Sequence, residues 1–455
     1  MRLITSLLIL AIILSIYPAI GEANSLQAWI IELQNEGYKN VEYISGDLFR
    51  FCCRDYYGGW LFGIVNSQGK EVVPAIYYEI LIESENRIAV YGPQGWCYID
   101  MQGNPINNDH YETVQACFSG GRAWVGKASE EGLLRYFCID SEGNEISPFG
   151  WNYARPFQNG IAIVGTNQIS LSNGSFFDDC YQLSYGFIDY MGNVVCEPKW
   201  DYLSDFSSTG IAICGKYNSN NEMRFGYINS NGIEMTAIEW KTADAFSESY
   251  AIVSTEQNVW KILDEHFNCV QSLDDISNMG AVHSGLIAAS FIDRKNQSLN
   301  NVYININGEV VIRPDAEMIC PFVDGFACIC KKGYKYKSEI AGDNALFSET
   351  GLCGAINTEG VSVITPEWDM IANCGSGVFI VEKDAEYWII NAMLQKASSQ
   401  SFKMIYSSII NGKLLGITAD DRFVSIDPET FVLRDTIISD NERKVIGDNT
   451  IYSDY

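Results

Sequence analysis

The stretch YGFIDYMGNVV (185–195) comes back, reworded, along most of the chain. FGYINSNGIEM (225–235) is the next version, FGIVNSQGKEV (62–72) an earlier one, and YININGEVV (303–311) a shortened later one. In the fullest copies an aromatic–Gly–aromatic–Ile–Asp/Asn run alternates with the two-residue period of a strand. A turn ending in Gly follows, then a short apolar strand. Asp or Asn can hydrogen-bond the backbone two residues on and Gly accepts positive φ, so this segment reads as a tight hairpin.

The turn glycines align as Gly69, Gly103, Gly143, Gly192, Gly232, Gly308 and Gly360. With Asn268 in the missing place, Gly69 to Gly308 makes six intervals of about 40 residues, a period expected of blade-forming repeats. Beyond the turn an aromatic recurs at Tyr111, Trp151, Trp200, Trp240 and Trp368, with Tyr78 displaced by one. A Phe ahead of a Gly comes next (FQNG 157–160, FSSTG 206–210, FVDG 322–325), and a strand of the GIAIV type closes the unit at 160, 210 and 325. Four short strands per unit cannot bury both faces of a small sheet, so neighbouring units must supply the core. The aromatic is large enough to fill the gap between units, and Ala162, Ala212 and Ala327 let a neighbour approach.

These units resemble the WG-repeat family of bacterial proteins, through Tyr185, Gly186, Asp189, Gly192, Trp200, Phe206, Gly210, Ala212 and their counterparts over about 40–437. Phe62-Gly63, Tyr185-Gly186, Phe225-Gly226 and Cys353-Gly354 stand where the family name has Trp-Gly, and 259–290 keeps little of the pattern. The resemblance implies a binding or interaction scaffold, often exported, and brings no catalytic residues with it.

The expected fold is all-β: a repeat protein of four-stranded units of about 40 residues in a β-propeller-like ring. Two smaller propellers or an open β superhelix are the alternatives. YISGDLFRFCC (43–53) resembles a closing half and FVSIDPETFVL (423–433) an opening half, so the two ends would complete one unit if the array closes. The domain plan is a signal peptide at 1–23, a short helix at 24–39, the array at 40–437 and a polar tail at 438–455.

Apolar residues make up 47% and charged residues 19%, which marks a folded chain rather than a disordered one. A net charge of −27 argues against nucleic acid and against an anionic lipid surface, since both need cationic side chains. It serves solubility, or the capture of a cationic partner. The apolar run Leu3–Ile16, Pro18 and the small-x-small Gly21-Glu22-Ala23 read as a secretory signal cleaved after Ala23, and the run is short for a membrane anchor. The expected location is therefore secreted or extracytoplasmic, with no span after signal removal.

Fourteen cysteines in an exported chain would ordinarily suggest disulfides. Their placement says otherwise: Cys196 stands where Ile312 does, Cys214 where Val164 does, and Cys328 where Ile163 and Ile213 do. That is the behaviour of buried thiols in a core. Cys52 and Cys53 are neighbours on one strand, so one of the two faces outward.

No metal or cofactor site is expected. His110, His266 and His283 have no ligand spacing, and neither a G-x-S-x-G elbow nor a Walker loop occurs. Asp100, Asp140 and Asp189 form a tempting carboxylate series, but each occupies a turn position where a structural role suffices. The aromatics at 151, 200, 240 and 368 keep strict register, which favours packing over sugar stacking.

The insertions are a better pointer. The longest are 165–182 and 331–350, with shorter ones at 216–223 and 291–300, all between a closing and an opening strand. They should emerge on one face, where repeat proteins often bind. The candidate binding residues are Phe176, Phe177 and Tyr181 in the first, and Lys331, Lys332, Tyr334, Lys335, Tyr336 and Lys337 in the second, a cationic aromatic island on an acidic protein. The expected function is an exported, non-enzymatic scaffold that binds a protein or glycan through these loops. The alternative is an extracellular glycan hydrolase with paired carboxylates. Partner loss on deleting 331–350 with the fold intact would distinguish the first, and activity loss on replacing a clustered acidic pair the second.

Overall fold

The computed structural model describes residues 29–435, except 35–36, 82, 116, 130–131, 148, 169–181, 296–297, 333, 339–341, 349–351, 411–412 and 421. Residues 29–34 are helical; beyond them the described chain is strand and turn. It divides into two compact units, Met1–Ile238 and Glu239–Tyr455.

Within the first unit five antiparallel sheets follow one another, of four, three, three, four and three strands. The fourth sheet shows the plan. Its order is Tyr153–Ala154, Ile161–Gln168, Gln182–Asp189, Val194–Trp200, each strand beside the next. The closing strand of one sequence unit thus pairs with the opening strand of the next, Val164 opposite Gly186. Sheets change just after the recurring aromatic: Trp200 ends one and Tyr202 begins the next. The sheet is therefore offset from the 40-residue sequence unit, because both connections around the opening strand are hairpins and local pairing follows them.

The second unit has three four-stranded sheets and a larger one. The degenerate stretch 259–290 still contributes, through Trp260–Leu263 and Cys269–Leu273 of one sheet and Ile276–His283 of the next. Its turn departs from expectation: the positive φ, +63°, falls on Phe267 and not on Asn268. Asp264 holds the turn by accepting the N–H groups of His266 and Asn268 at 2.9 and 2.8 Å, which fixes the conformation without a glycine.

The terminal segments pair separately rather than completing one unit. Lys39–Ser45 and Leu48–Arg54 form a hairpin on Trp60–Asn66, and Phe423–Ile426 pairs with Lys413–Thr418. Each end thus has strand partners close by in sequence, and short loops are cheaper to close than a long-range pairing.

The glycine of the aromatic–Gly pair has a steric cause. Tyr185 pairs with Trp200 but Phe187 with Cys196, so two residues on one strand face four on the other. This bulge presses its backbone onto Gly186, where a Cβ would stand 2.3 Å from the Cys196 carbonyl oxygen and 2.7 Å from Pro198 N. Gly354 meets the Ile364 carbonyl at 2.5 Å and Pro366 N at 2.8 Å in the same way. Proline suits the bulge because no ladder hydrogen bond is asked of it there. Cys97 and Phe137 stand in this place in two other sheets, and there the following strand shrinks to isolated bridges, Trp96–Tyr111 with Ile99–Pro105 and Tyr136–Trp151 with Ile139–Glu145. Gly226 has the same close approach, yet its partner segment is bridged only at Ile228–Glu234, and Thr236 Oγ1 accepts the Tyr227 N–H.

The cores lie between successive sheets of a unit. Ile163, Phe187, Cys196 and Trp200 of the fourth sheet pack on Leu203, Phe206, Ala212, Cys214 and Ile228 of the fifth. The other face of the fourth sheet, with Ala162, Val164 and Ile188, packs on Trp124, Cys138 and Trp151 of the third. The recurring aromatics are core as expected, with Tyr111, Trp151, Trp200 and Trp240 buried and Trp368 half-buried. In the first sheet the counterpart is Tyr77, paired with Phe62, while Tyr78 is exposed. The Phe of the Phe–Gly segment meets an aromatic of the preceding sheet edge-on: Phe187–Phe206 at 4.8 Å and Tyr98–Phe118 at 4.9 Å. Ser84 Oγ donates to the Phe118 carbonyl and Ser119 Oγ to that of Phe157, both at 3.0 Å, pinning one sheet to the next.

Gly186→Ala should lower stability by roughly 2–4 kcal/mol, because the methyl meets backbone that cannot give. Gly160→Ala, where the φ is +79° but nothing lies within 4 Å, should cost about 1 kcal/mol. Chemical denaturation of the two variants checks the ranking.

Candidate functional site

The turn carboxylates are fully engaged in structure. Asp189 Oδ1 accepts the N–H groups of Met191 and Asn193 at 2.9 Å each, and its Oδ2 accepts Asn193 Nδ2 at 2.9 Å. Asp100 and Asp140 repeat the arrangement with Asn104 and Asn144. Partial burial opposes the charged form at all three, but the Asn side chain and the backbone N–H groups outweigh it and hold each carboxyl below its ordinary range. Asn66, Asn229, Asn305 and Asn357 occupy the same place in sister turns and accept the same pair of N–H groups. The position needs an oxygen acceptor, not a charge.

Glu382 and Asp369 form an acidic pair outside the turns. Glu382 is pushed up by burial and then by the Asp369 charge, against a lowering bond from Tyr387. Trp368 precedes Asp369 and Trp388 is the strand partner of Val381, the neighbour of Glu382; their ring centroids are 5.7 Å apart. Among the described residues no three His, Cys, Asp or Glu side chains converge as a metal site would require. His110 and His266 are exposed and His283 is half-buried.

The thiols sit mostly in the cores: Cys52, Cys97, Cys138, Cys196, Cys214, Cys320, Cys328, Cys330 and Cys353 are buried, and Cys53 faces out beside Cys52. Burial pushes the Cys138 and Cys214 thiols up to about 12.

The sequence-derived binding residues fare unequally. Phe176, Phe177 and Tyr181 lie outside the described residues. Lys331 and Lys332 are exposed, and Lys331 Nζ pairs with Asp315 Oδ2 at 2.7 Å. Tyr334, Lys335, Tyr336 and Lys337 belong to strand Tyr334–Ser338, with Tyr334 opposite Phe347, Lys335 opposite Leu346 and Tyr336 opposite Ala345. Strand Gly342–Phe347 in turn pairs with Met370–Asn373, and Ala345 and Leu346 are buried. The described part of this insertion is therefore paired as strands of a sheet rather than standing free as a loop. It adds a hairpin to the last sheet, because its apolar residues have a strand edge to cover.

Exposed aromatics gather instead at the hairpin ends of the first two sheets. Asp55 Oδ1 accepts the N–H groups of Tyr57 and Gly59 at 2.8 and 2.7 Å, a fixed turn that leaves Tyr56 94% and Tyr57 91% exposed. Trp60 follows, 43% exposed, with the Arg54 guanidinium 4.6 Å from its ring centre. In the next sheet Tyr78, Tyr91 and Trp96 form a ladder, with centroids 5.8 and 5.2 Å apart. Gly92 lies against Tyr77, whose strand partner is Phe62, so the end of the second sheet's hairpin reaches the last strand of the first sheet. The available signal was DYYGGW (55–60), a turn-type frame of Asp and two glycines that carries three aromatics.

The repeats match the model of the WG containing repeat at 62–91, 136–168, 185–213, 225–260, 303–336 and 354–387. The chain belongs to the WG-repeat family. No curated protein matches its sequence. Among solved structures, this WG-repeat protein is similar to BamB from Moraxella catarrhalis, with 11% identity, a TM-score of 0.23, and 56% of this chain and 80% of that one covered. It is also similar to the tricorn protease, with 10% identity, a TM-score of 0.20, and 89% of this chain and 44% of that one covered. Superpositions this loose transfer nothing from either protein.

Asp189→Asn should leave the WG-repeat protein within about 0.5 kcal/mol of its stability at pH 7, whereas Asp189→Ala should lose about 1 kcal/mol with the turn bonds. The carboxyl lies below its ordinary value in the folded state, so its contribution is present above that value and lost as pH falls through the depressed one. Replacing Asp100, Asp140 and Asp189 together with Asn should therefore flatten the loss of stability below about pH 4, measured by acid titration of the fold.

Proposed function

We propose that this WG-repeat protein is an exported, non-enzymatic scaffold of propeller-like sheets that binds a glycan at the hairpin ends of its first two sheets. The observation that carries this reading is the contrast between two sets of aromatics. The recurring column is buried between sheets, whereas Tyr56, Tyr57, Trp60, Tyr78 and Tyr91 present rings to solvent in positions where packing does not require them. Exposed rings suit the C–H faces of sugars, and Tyr and Trp hold such a surface with few rotatable bonds. The Asp55 turn fixes Tyr56 and Tyr57 beforehand, which lowers the ordering cost of binding. Export rests on the segment 1–23, with cleavage after Ala23; no helix among the described residues is long and apolar enough to cross a membrane.

The hydrolase alternative has one supporting observation, the Glu382–Asp369 pair, with a carboxyl that keeps its proton above the ordinary range.

Capture of residues 24–455 on cell-wall glycans and, in parallel, on solubilised envelope proteins tests the reading. The Tyr56→Ala/Tyr57→Ala double variant should bind glycan at least about tenfold more weakly with an unchanged melting temperature, as loss of an aromatic contact region implies. Unchanged glycan binding by that variant, or retention on envelope proteins alone, would overturn it. Release of soluble sugar that Glu382→Gln abolishes would establish the hydrolase instead.

A further inference from the structure

Four thiols share one face of one sheet in the second unit. Strand Phe326–Cys330 lies between Met318–Ile319 and Cys353–Asn357. Cys328 and Cys330 are two residues apart and so point the same way. Cys330 is directly opposite Cys353, and Cys320 is opposite Cys328, its N–H donated to the Cys328 carbonyl at 3.0 Å. All four are buried in one cluster with Leu346, Ile371, Phe379 and Val381.

The ladder distinguishes the two pairs. The Lys331 N–H donates to the Leu352 carbonyl at 3.1 Å, so the alternation of an antiparallel ladder makes Cys330–Cys353 a non-hydrogen-bonded pair. There opposite side chains approach most closely, and the expected Cα separation lies within the range a disulfide spans. Cys320–Cys328 is a hydrogen-bonded pair, where the two Cα atoms stand farther apart, although the Cys320 and Cys328 side chains still share a hydrogen bond. The thiols are also unequal. Cys330 is held below the ordinary thiol value, first by the S–H bond from Cys353 and against its own burial, while the same bond and burial push Cys353 up.

We propose that Cys330 and Cys353 form a disulfide by thiol–disulfide exchange with an external disulfide, closing the base of the 331–352 insertion. The Cys330 thiolate attacks one sulfur of the external disulfide and releases its first thiol. Cys353 then gives up its proton and attacks the Cys330 sulfur of the mixed disulfide, releasing the second thiol. The protein loses two S–H bonds and gains one S–S bond; the external disulfide takes the two electrons and both protons. Leu346 of the inserted hairpin packs in the same cluster, so exchange takes place before that hairpin seats. The cross-link then ties together the two strands from which the insertion leaves and returns. This inference is independent of glycan binding.

The test refolds the full chain from denaturant in a glutathione disulfide/thiol buffer and, separately, in reductant alone. Free thiols are then alkylated under denaturing conditions and the peptides mapped by mass spectrometry. The oxidised chain should yield a Cys330–Cys353 cross-linked peptide and melt several degrees above the reduced chain. Cys320→Ser should keep the cross-link, and Cys353→Ser should abolish it, leaving Cys330 as a free thiol or as its mixed disulfide with glutathione. Complete alkylation of Cys330 and Cys353 in the oxidised, folded chain would overturn the proposal, as would a cross-link from Cys330 to Cys320 or Cys328. If Cys353→Ser fails to fold, the map of the unsubstituted chain decides alone.

Discussion

Burial of both faces of each small sheet is the constraint on which the rest depends. The fourth sheet carries Ile163, Phe187 and Trp200 on one face and Ala162, Val164 and Ile188 on the other, and each set packs on a different neighbour. Left alone, such a sheet would expose both sets, at about 1.5–3 kcal/mol for each large apolar side chain. Stacking is therefore a condition of folding rather than an arrangement of finished domains. It explains why thiols replace aliphatics in the cores, where the need is for small apolar volume. It also explains why the recurring aromatics are buried: they fill the gap that two twisted sheets leave between them.

A second constraint follows from the bulge opposite the aromatic–Gly pair. Two extra residues turn the last strand of a sheet toward the next one, and the backbone they displace lands on Gly186 or Gly354. Sheets with Cys97 or Phe137 in that place survive with a looser final segment, and Ser147 Oγ accepts the Cys138 N–H that a ladder carbonyl would otherwise take. With the sheet faces committed to packing, recognition is left to the hairpin ends. That is where Tyr56 and Tyr57 stand, on a turn whose hydrogen bonds come from its own Asp55.

What could be read in the sequence was what local chemistry determines. The strands, the Asp/Asn turns, the buried column and the division between Cys52 inside and Cys53 outside all follow from side-chain period and turn chemistry. The offset between sequence unit and sheet was not legible, because strand pairing is decided by contacts between segments. Tyr77 follows Gly69 by eight residues, as Trp200 follows Gly192, so spacing alone marks it rather than Tyr78; Phe267 in place of Asn268 was not legible, because it takes positive φ where Asp264 enforces it. The 331–350 insertion looked like a loop since its strands become recognisable only beside Met370–Asn373, the edge they cover. In the aromatic turn at 55–60, Asp and Gly announced a loop and drew attention from the rings between them.

The place where one sheet gives way to the next, between Trp200 and Tyr202, bears on how such an array can grow. Copying a segment bounded by turn glycines inserts the end of one sheet and the start of another, so the new pieces must pair with residents on both sides. Copying from one column aromatic to the next inserts a whole sheet that needs only faces to stack on. Lengthening by duplication is thus easiest in a frame that the most visible sequence motif does not mark.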